Sequence, residues 1–415
     1  TIYEGHTAVH IAGADLVVTT SAAQEDNPEI AAARAAGIPV LRRREFLGAL
    51  MAGQVGIAVA GTHGKTTTTA LLVHVLREAG LDPTYIIGGV LANTGTNAGV
   101  GRGPHFVIEA DEYDRMFLGL RPQMAIITNI EHDHPDCYPT LDEMRAAFAE
   151  FAALLPDDGL LACADDAEAR ALGDSRRAAG HPVAFYGFSG AAGEAFWRAS
   201  DLAPNDGGGT AFTVWRGARG LGRVRLALAG RHNVLNALAV IATADRAGVS
   251  FAVTAGALGS FLGTGRRAET LGVAGGVTVI SDYAHHPTAV RVTLEALRAR
   301  PGLRELWAVW QPHTYGRMRA LADEFAAAFA AADHVLVTDV YSVRETVTPG
   351  LDAAGMAAQI AGAGHPDVRY TGPLDATAEA LIACVRPGDV ITLLSAGDAP
   401  RVGRQVLDAL GSGEA

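Results

Sequence analysis

The feature that most constrains the fold is a glycine-containing loop between a predicted strand and a predicted helix. The apolar run 56–60 predicts a buried strand, and residues 68–79 have helical character. Between them lies Gly-Thr-His-Gly-Lys-Thr-Thr at positions 61–67. Backbone amides at the start of such a helix can cradle phosphates. The order strand, loop, helix therefore predicts a phosphate-binding site.

We expect this loop to bind phosphates, with Lys65 reaching the β- and γ-phosphates and Thr66 offering its hydroxyl to Mg²⁺. One position departs from the general phosphate-loop pattern, because the first glycine would fall at Val59 and a glycine stands at Gly61 instead. The alternative is an ordinary glycine-rich turn with a chance lysine. The predicted nucleotide ligands of the loop are Gly61, Thr62, His63, Gly64, Lys65, Thr66 and Thr67.

Acidic side chains follow the next predicted strand. The β-like run 106–108 leads directly into Glu109, Asp111, Glu112 and Asp114. Because Mg²⁺ prefers oxygen ligands beside phosphate groups, this segment is a candidate cation site. Taken alone, it could equally be a solvated acidic loop.

A third polar segment, Thr-Asn-Ile-Glu-His-Asp-His at 128–134, follows the β-like run 125–128. A lone histidine such as His134 is more often structural than a ligand. Ligands of open α/β sheets, however, gather at the carboxyl ends of the strands. Three polar segments at successive strand ends therefore favour one shared nucleotide and metal site.

Strand-like and helix-like runs alternate along the chain, which predicts an α/β fold with a mostly parallel sheet covered by helices. Residues 212–214 and 224–228 predict a β-hairpin. A glycine-punctuated break at 261–265 precedes a new series of strands and helices that starts at 277–280. We therefore predict three domains, at 1–52, 53–265 and 266–415.

Charge and composition exclude several classes of protein. A net charge of −12 leaves no basic excess to replace counterions on a phosphate backbone, so we expect no nucleic-acid partner. No apolar run approaches the roughly 20 residues of a membrane span, so we expect no membrane insertion. Cys137, Cys163 and Cys384 are too widely spaced for a disulfide framework, which favours the cytoplasm. Because the sequence starts without Met, we also expect further sequence upstream.

Three more polar segments complete the candidate residues. In residues 230–236, His232 or Asn233 could be a helix N-cap. The segments 281–287 and 310–317 follow β-like runs and contain several histidines. A zinc site from these histidines is conceivable, but no cysteine or H-E-x-x-H partner is near, so substrate or structural roles are favoured.

Six of these segments, in this order, resemble the Mur ligases. The last two resemble in particular the member of that family that adds L-alanine. The resemblance covers nearly the whole chain, and six ordered motifs are much harder to obtain by chance than one. The segments are Gly-Thr-His-Gly-Lys-Thr-Thr at 61–67, Glu-Ala-Asp-Glu at 109–112, Thr-Asn-Ile-Glu-His-Asp-His at 128–134, His-Asn-Val-Leu-Asn-Ala at 232–237, Asp-Tyr-Ala-His-His-Pro-Thr at 282–288 and Gln-Pro-His-Thr-Tyr at 311–315.

The resemblance implies a partial Rossmann-like N-terminal domain for a UDP-sugar, a central P-loop ATPase domain and a Rossmann-like C-terminal domain that closes over the site. It gives catalytic roles to Lys65 on the ATP phosphates, to Glu109, which with Thr66 would bind one Mg²⁺, and to His134, which would bind a second. The further nucleotide contacts that it implies are His232, Asn233 and Asn236 near the adenine, and Asp282 from the closing domain.

The resemblance also implies the reaction. The substrates would be UDP-N-acetylmuramate, ATP and L-alanine, joined through an acyl phosphate in peptidoglycan precursor synthesis. A monomer or weak homodimer is expected. The residues expected around L-alanine are Tyr283, His285, His313 and Arg317. For Arg317, the alternatives are a cap on a helix that begins near Met318 or a pair with an acidic surface residue.

Two departures and three rival functions accompany this interpretation. The glycine-rich UDP-binding loop of the family should precede Gly5 and His6, and it is absent from this sequence. Ser281 stands where a second acidic residue is expected before Asp282. The rivals are a recycling ligase that attaches a tripeptide to the same sugar nucleotide, a more remote folylpolyglutamate-synthase-like enzyme, and a catalytically silent ATP-binding homologue.

Overall fold

The computed structural model describes residues 1–20, 23–189, 196–342 and 352–412. Within them, the chain forms three sheets that are flanked by helices, so the predicted α/β class is confirmed. We call the parts of the chain that build these sheets the N-terminal, central and C-terminal units. The predicted domain boundaries at 52/53 and 265/266 fall between the sheets and stay a proposal.

The N-terminal unit is small. Its two strands, β1 (Val17–Thr19) and β2 (Val40–Arg42), are parallel and are joined through α1 (Pro28–Ala35). Helix α2 (Arg43–Leu50) follows and carries the buried Leu47 into the core of the central unit.

The central unit contains a ten-stranded sheet in the order β12-β11-β10-β9-β8-β7-β3-β6-β4-β5. The strands from β10 through β4 are parallel, and antiparallel hairpins extend both edges. The predicted hairpin is therefore confirmed as β11 with β12. The strands are β3 (Val55–Ala60), β4 (Thr84–Leu91), β5 (Thr96–Gly99), β6 (His105–Glu109), β7 (Met124–Ile127), β8 (Leu160–Cys163), β9 (Val183–Gly187), β10 (Phe196–Pro204), β11 (Thr210–Arg216) and β12 (Arg219–Leu226).

Strand β3 lies between β6 and β7 and is almost completely buried, as its apolar run predicts. The carboxyl ends of these three strands therefore lie side by side. A 3₁₀ segment, Tyr113–Gly119, follows β6. The covering helices are α3 (Lys65–Glu78), α4 (Leu141–Ala153), α5 (Ala167–Ala178), α6 (Arg231–Arg246) and α7 (Phe251–Gly259).

The C-terminal unit contains a six-stranded sheet in the order β13-β14-β18-β15-β16-β17, parallel except for the edge hairpin β13–β14. Its strands are β13 (Glu269–Ala274), β14 (Val277–Asp282), β15 (Leu306–Trp310), β16 (His334–Thr338), β17 (Val368–Gly372) and β18 (Val390–Leu394). Its helices are α8 (Pro287–Arg298), α9 (Tyr315–Ala320), α10 (Ala322–Ala327), α11 (Ala353–Gly362), α12 (Leu374–Cys384) and α13 (Pro400–Ser412).

The segment that joins the two larger units is fastened to the central unit. The amide of Gly265 donates to the carbonyl of Val90, and the amide of Ala92 donates to that of Gly263.

None of the helices within the described ranges combines the length and apolar character needed to cross a bilayer.

The aromatic cluster beneath α4 gives a direct test of the central core. Phe151 stacks on Phe117 with ring centroids 4.7 Å apart, and both side chains are fully buried. We predict that Phe151→Ala lowers the free energy of unfolding by about 3–5 kcal/mol, because it removes a large side chain and leaves a cavity. Urea unfolding followed by circular dichroism measures this. Leu154→Ala, at a residue that is 42% exposed at the end of the same helix, is the control and should cost under about 0.5 kcal/mol. Equal losses for the two variants would contradict the prediction.

Candidate active site

A large cleft lies between the central and C-terminal units, at the carboxyl ends of β3, β6 and β7. Nearly all residues predicted for the site line it, although they come from distant parts of the sequence. Gly61 is the exception, because this first residue of the loop is buried. The predicted residues that line the cleft are Thr62, His63, Gly64, Lys65, Thr66, Thr67, Glu109, His134, His232, Asn233, Asn236, Asp282, Tyr283, His285, His313 and Arg317.

The glycine loop is shaped by the start of the segment after β7. Gly61 has a φ of 137°, and a Cβ there would lie 2.0 Å from the Thr128 hydroxyl, so a side chain has no room. The Thr128 hydroxyl donates to the His63 carbonyl at 2.6 Å. The Asn129 side chain accepts from the His63 amide at 2.8 Å and donates to its carbonyl at 3.1 Å. Two neighbouring strand ends therefore fix the loop conformation.

Helix α3 begins at Lys65, three residues earlier than its sequence pattern predicts. Gly64 is the N-cap with a φ of 81°, and a Cβ there would meet the Asn236 side chain at 2.7 Å. The first amides of a helix have no partner within the helix and form the positive end of its dipole. The start of α3 is therefore suited to bind phosphate.

Lys65 forms a buried ion pair with Glu112. Its ammonium donates to Glu112 Oε1 at 2.8 Å and to the Gly61 carbonyl at 2.6 Å. Burial lowers the pKa of Lys65, but the negative charges of Glu112, Asp111 and Glu109 outweigh burial and raise it. Burial likewise raises the pKa of Glu112, and Lys65 with His134 lowers it on balance. Lys65 is thus charged, as phosphate neutralisation requires.

Lys65 is the only lysine in the 415-residue sequence. The other Lys-or-Arg positions in the sequence are all arginines. An ammonium is a compact point charge that fits against phosphate oxygens and backbone carbonyls, whereas the planar guanidinium needs a wider approach. The loop therefore holds a lysine where its small head group is needed.

Thr66 and Glu109 form an oxygen-rich pair. The Thr66 hydroxyl donates to Glu109 Oε1 at 3.0 Å, and the other carboxylate oxygen accepts from the Gly88 amide at 2.6 Å. Arg267, from the start of the C-terminal unit, donates to the Thr66 hydroxyl at 3.0 Å. Hydroxyl and carboxylate oxygens beside a phosphate loop are the donor set that suits Mg²⁺.

His134 lies against Glu112 and Asp133. Its Nε2 is 3.7 Å from a carboxylate oxygen of each. Burial lowers the pKa of His134, but the nearby carboxylates of Glu112 and Asp133 raise it on balance. Glu112 Oε2 is buried and has no hydrogen-bond partner among the described residues. This unpaired oxygen fits a role for the Glu112–His134 pair in holding a second cation.

A buried ion pair links the two larger units. Arg317 is 5% exposed, and its Nε and Nη2 donate to Asp133 Oδ1 at 3.1 and 2.8 Å. Its Nη1 lies 2.9 Å from His313 Nδ1. Burial raises the pKa of Asp133, and Arg317 then holds it well below the usual range. Helix α9 is capped by the Thr314 side chain and starts at Tyr315, so both alternatives for Arg317, a helix cap and a surface pair, are wrong.

The predicted amino-acid residues lie together around Arg317. His285 is between Tyr283, with ring centroids 5.0 Å apart, and His313, at 5.8 Å. Burial, followed by the charge of Arg317, lowers the pKa of His313 to about 4 and that of His285 well below its usual value. Both imidazoles are therefore neutral at pH 7.

The Asp282 side chain forms hydrogen bonds with backbone amides. Its two carboxylate oxygens accept from the amides of Ala268 and Ala284 at 2.7 and 2.8 Å. This ties the start of the C-terminal unit to the end of β14. The preceding Ser281 is buried, and its hydroxyl has no partner among the described residues. Burial of a second carboxylate here would be costly without a partner, and serine avoids that cost.

Helix α6 supplies the residues predicted for the adenine. Asn233 donates to the Ala229 carbonyl at 2.7 Å and accepts from Asn236 at 3.2 Å. Burial lowers the pKa of His232 to about 4. The N-cap of this helix is Gly230, which forms no side-chain cap, so the N-cap alternative for His232 and Asn233 is wrong.

Sequence reasoning missed two residues that the site depends on, Asp133 and Arg267, whereas Glu112 was already among the carboxylates of the candidate cation site. Asp133 stands inside a recognised segment, and its position at a strand end was the available signal. Arg267 lies in the Arg-Arg pair just after the predicted break, and no pattern indicated its contact with Thr66, 201 positions away.

Comparison with protein-family models gives matches to three consecutive parts of the chain. Residues 1–55 match the Mur ligase family catalytic domain, residues 59–244 the Mur ligase middle domain, and residues 266–397 the Mur ligase glutamate ligase domain. The three parts correspond in order to the three sheets.

Curated relatives and solved structures agree with these matches. The UDP-N-acetylmuramate–L-alanine ligase of Frankia casuarinae is 44% identical, over 97% of this chain and 86% of the relative. The enzyme of the same name from Anaeromyxobacter is 42% identical, over 99% and 88%. The crystal structure of UDP-N-acetylmuramate-alanine ligase MurC from Thermotoga maritima superposes with a TM-score of 0.81 at 28% identity, over 98% of this chain and 88% of that chain. A murein peptide ligase from Psychrobacter arcticus gives a TM-score of 0.69 at 29% identity, over 99% and 89%.

A glycine loop at the strand ends and a cleft shared by two α/β units are the arrangement expected of an enzyme that acts on a phosphate-containing substrate. The matches along the whole chain are specific within that class. The chain belongs to the Mur ligase family.

The interdomain ion pair leads to a stability prediction. Asp133→Asn leaves the Arg317 guanidinium buried without a counter-charge, and we expect it to lower the free energy of unfolding by about 3–5 kcal/mol at pH 7. Because the folded-state pKa of Asp133 is depressed, its contribution is present above the usual Asp pKa of 3.8 and is lost as the pH falls below that value. The difference between variant and wild type should therefore shrink from pH 7 to pH 3.

Urea titrations at both pH values measure this difference. The control is Asp174→Asn, which removes a carboxylate that pairs with Arg170 at 2.9 Å on the exposed face of α5. Exposed pairs contribute about 0–1 kcal/mol, so the control should change little. A difference for Asp133→Asn that grows on acidification would contradict the prediction.

Proposed function

We propose that this protein joins L-alanine to the carboxylate of UDP-N-acetylmuramate with cleavage of ATP, a step in peptidoglycan precursor synthesis. The observation that carries the proposal is the shared cleft, where the phosphate loop of the central unit faces the Arg317–His313 group of the C-terminal unit. The curated relatives bear the corresponding name over nearly the whole chain.

The proposed reaction has two steps. The γ-phosphoryl group of ATP passes to the sugar carboxylate, which gives an acyl phosphate and ADP. The amine of L-alanine then attacks the acyl carbon, loses a proton and expels phosphate. Phosphorylation is needed because a free carboxylate is a poor electrophile, and Lys65 offsets the repulsion between the two anions.

The metal ligands are part of this proposal. Thr66 and Glu109 would hold one Mg²⁺, and His134, supported by Glu112, would hold a second. Magnesium there would neutralise the phosphate oxygens as charge moves onto them. The loop residues would bind the phosphates, and Asn233, Asn236 and His232 would lie near the adenine.

In this structure, each carboxylate oxygen of Asp282 accepts a hydrogen bond from a backbone amide. We therefore infer that Asp282 acts on the nucleotide indirectly. It holds the segment that presents Arg267 to Thr66. In the proposed enzyme, Asp282 thus connects closure of the C-terminal unit to the metal site.

The amino-acid site is proposed at Arg317, His313, His285 and Tyr283. A guanidinium binds a carboxylate with two parallel hydrogen bonds. Because Asp133 holds this fork in the present arrangement, the carboxylate of L-alanine would have to replace it, and the freed Asp133 could then face the amino group. The neutral His285 or His313 could accept the proton that the amine must lose.

The cellular setting is proposed with the activity. ATP and nucleotide-linked sugars are cytoplasmic metabolites, and the free cysteines Cys137, Cys163 and Cys384 fit a reducing compartment. A monomer or weak homodimer, without a nucleic-acid partner, remains our expectation.

The role of Lys65 is tested by phosphate release. We predict that Lys65→Ala lowers L-alanine-dependent release of phosphate at least about 100-fold, because it removes the cation that faces the transferring group. Arg77→Ala, at an exposed residue near the other end of α3, is the control and should keep most of the activity. Turnover of Lys65→Ala within a few-fold of wild type would remove the loop from the mechanism. Release of phosphate from neither variant nor wild type would favour a silent homologue.

The role of Arg317 is tested by substrate requirement. We predict that Arg317→Lys raises the KM for L-alanine at least about 10-fold and changes the KM for ATP less than about 3-fold, because an ammonium cannot reproduce the two-pronged contact. The control is Arg298→Lys, at an exposed arginine that binds Asp333 through both terminal nitrogens. An equal loss for both substrates would place Arg317 outside the amino-acid site.

Running the assay with the tripeptide L-alanyl-γ-D-glutamyl-meso-diaminopimelate in place of L-alanine separates the recycling ligase from the proposed enzyme.

A further inference from the structure

A second group of potential metal ligands lies beside the phosphate loop, and none of the roles above uses it as a group. It consists of His63 in the loop after β3, Glu131 after β7 and His286 before α8. One ligand atom from each residue lies within 4.8 Å of the other two. Two of the residues belong to the central unit and one to the C-terminal unit.

The spacing approaches that of a tetrahedral site. His63 Nε2 is 3.2 Å from Glu131 Oε2, and His286 Nδ1 is 3.7 Å from the same oxygen. Zinc bonds to nitrogen and oxygen are about 2.0–2.1 Å long, which places tetrahedral ligands about 3.3–3.4 Å apart. Small side-chain movements would therefore bring the three atoms onto one cation.

The protonation states suit metal binding. Burial raises the pKa of Glu131, but the hydrogen bond with His63, the nearby Thr288 side chain and the charges of the two histidines lower it to about 2. Burial and the neighbouring His63 lower the pKa of His286 to about 4. Glu131 is thus ionised and His286 neutral at pH 7, so neither has to lose a proton to become a ligand.

His286 is also oriented as metal-bound histidines are. Its Nε2 lies 3.4 Å from the His132 carbonyl, which accepts its N–H and leaves Nδ1 unprotonated. Nδ1 now accepts the Thr288 amide at 3.3 Å as the helix cap. A cation would bind to the same Nδ1 lone pair. The hydrogen bond from the Thr288 amide would then be lost, but at 3.3 Å it is weak compared with a metal–nitrogen bond.

We propose that His63, Glu131 and His286 form a binding site for a divalent transition cation of the Zn²⁺ class, with water as a fourth ligand. Two imidazoles beside one carboxylate favour such a cation over Mg²⁺, whose ligands are mainly oxygens. The site is separate from the Thr66–Glu109 pair proposed for Mg²⁺.

The position of this site gives it a consequence for the enzyme. A cation held by His63 and His286 fastens the phosphate loop to the start of α8 and so fixes the central unit against the C-terminal unit. Opening of the cleft would then require loss of a metal ligand. Micromolar Zn²⁺ should accordingly slow turnover even in excess Mg²⁺.

Cobalt absorption tests the site directly in the intact chain, with ATP and both substrates left out. Co²⁺ replaces Zn²⁺ in tetrahedral sites and becomes strongly coloured there, and Zn²⁺ should displace it. We expect one equivalent of coloured Co²⁺ that millimolar Mg²⁺ does not remove. His63→Ala, Glu131→Gln and His286→Ala should each weaken Co²⁺ binding at least about 10-fold. The effect of both histidine variants would show that the cation bridges the two units.

The matched control is His334→Ala, which removes a histidine that contacts the carboxylates of Asp367 and Glu305 on the surface of the C-terminal unit. Co²⁺ binding should be unchanged in it. Absence of tetrahedral absorption in wild type would overturn the proposal, as would absorption that is lost in His134→Ala but kept in His63→Ala and His286→Ala. Glu131→Gln keeps the shape of the side chain and serves if a histidine variant does not fold. Since no ATP is present, the result does not depend on the proposed ligase activity.

Discussion

Compensation of buried charge is the constraint on which the cleft depends. Glu112 is fully buried, and a carboxylate in that position is tolerated only with a counter-charge. Lys65 supplies that charge from the phosphate loop, so the end of β6 and the start of α3 are held together. Removal of either partner would leave the other as a buried charge that neither a counter-charge nor water neutralises.

The same principle joins the central unit to the C-terminal unit. Asp133 and Arg317 are each about 5% exposed in side chain, and each neutralises the other. Beside them, Arg267 approaches Thr66 from the joining segment. These contacts between the units are polar, in contrast to the apolar cores on either side. In the proposed enzyme, the carboxylate of L-alanine would take the place of Asp133 at one of these contacts.

The sequence allowed prediction of the elements whose signals are local. The strand, glycine loop and helix around Lys65 follow from an apolar run, from glycines that tolerate positive φ and from helical periodicity. The strand-end polar segments were placed in one site because parallel strands share an edge. The start of α3 was misplaced by three residues, because a run of threonines hides the helix that Gly64 caps.

Contacts between distant parts of the chain could not be predicted in this way. Asp133 and Arg317 are 184 positions apart, and His286 reaches the carbonyl of His132 over 154. Neither partner carries a local mark that names the other, since an arginine near a strand end has many possible counter-charges. Asp282 illustrates the same limit, because its carboxylate binds backbone amides that no side-chain pattern announces.

The single lysine gives the protein an unusual chemical property. Reagents that acylate side-chain amines have one target in this sequence, and that target stands at the phosphate loop. Only the uncharged amine reacts, and the carboxylates around Lys65 raise its pKa, so modification should be slow near neutral pH and faster in alkaline solution. The extent of side-chain acylation, measured by mass spectrometry, would then report how accessible the Lys65 amine is. A ligand bound in the loop should lower that extent.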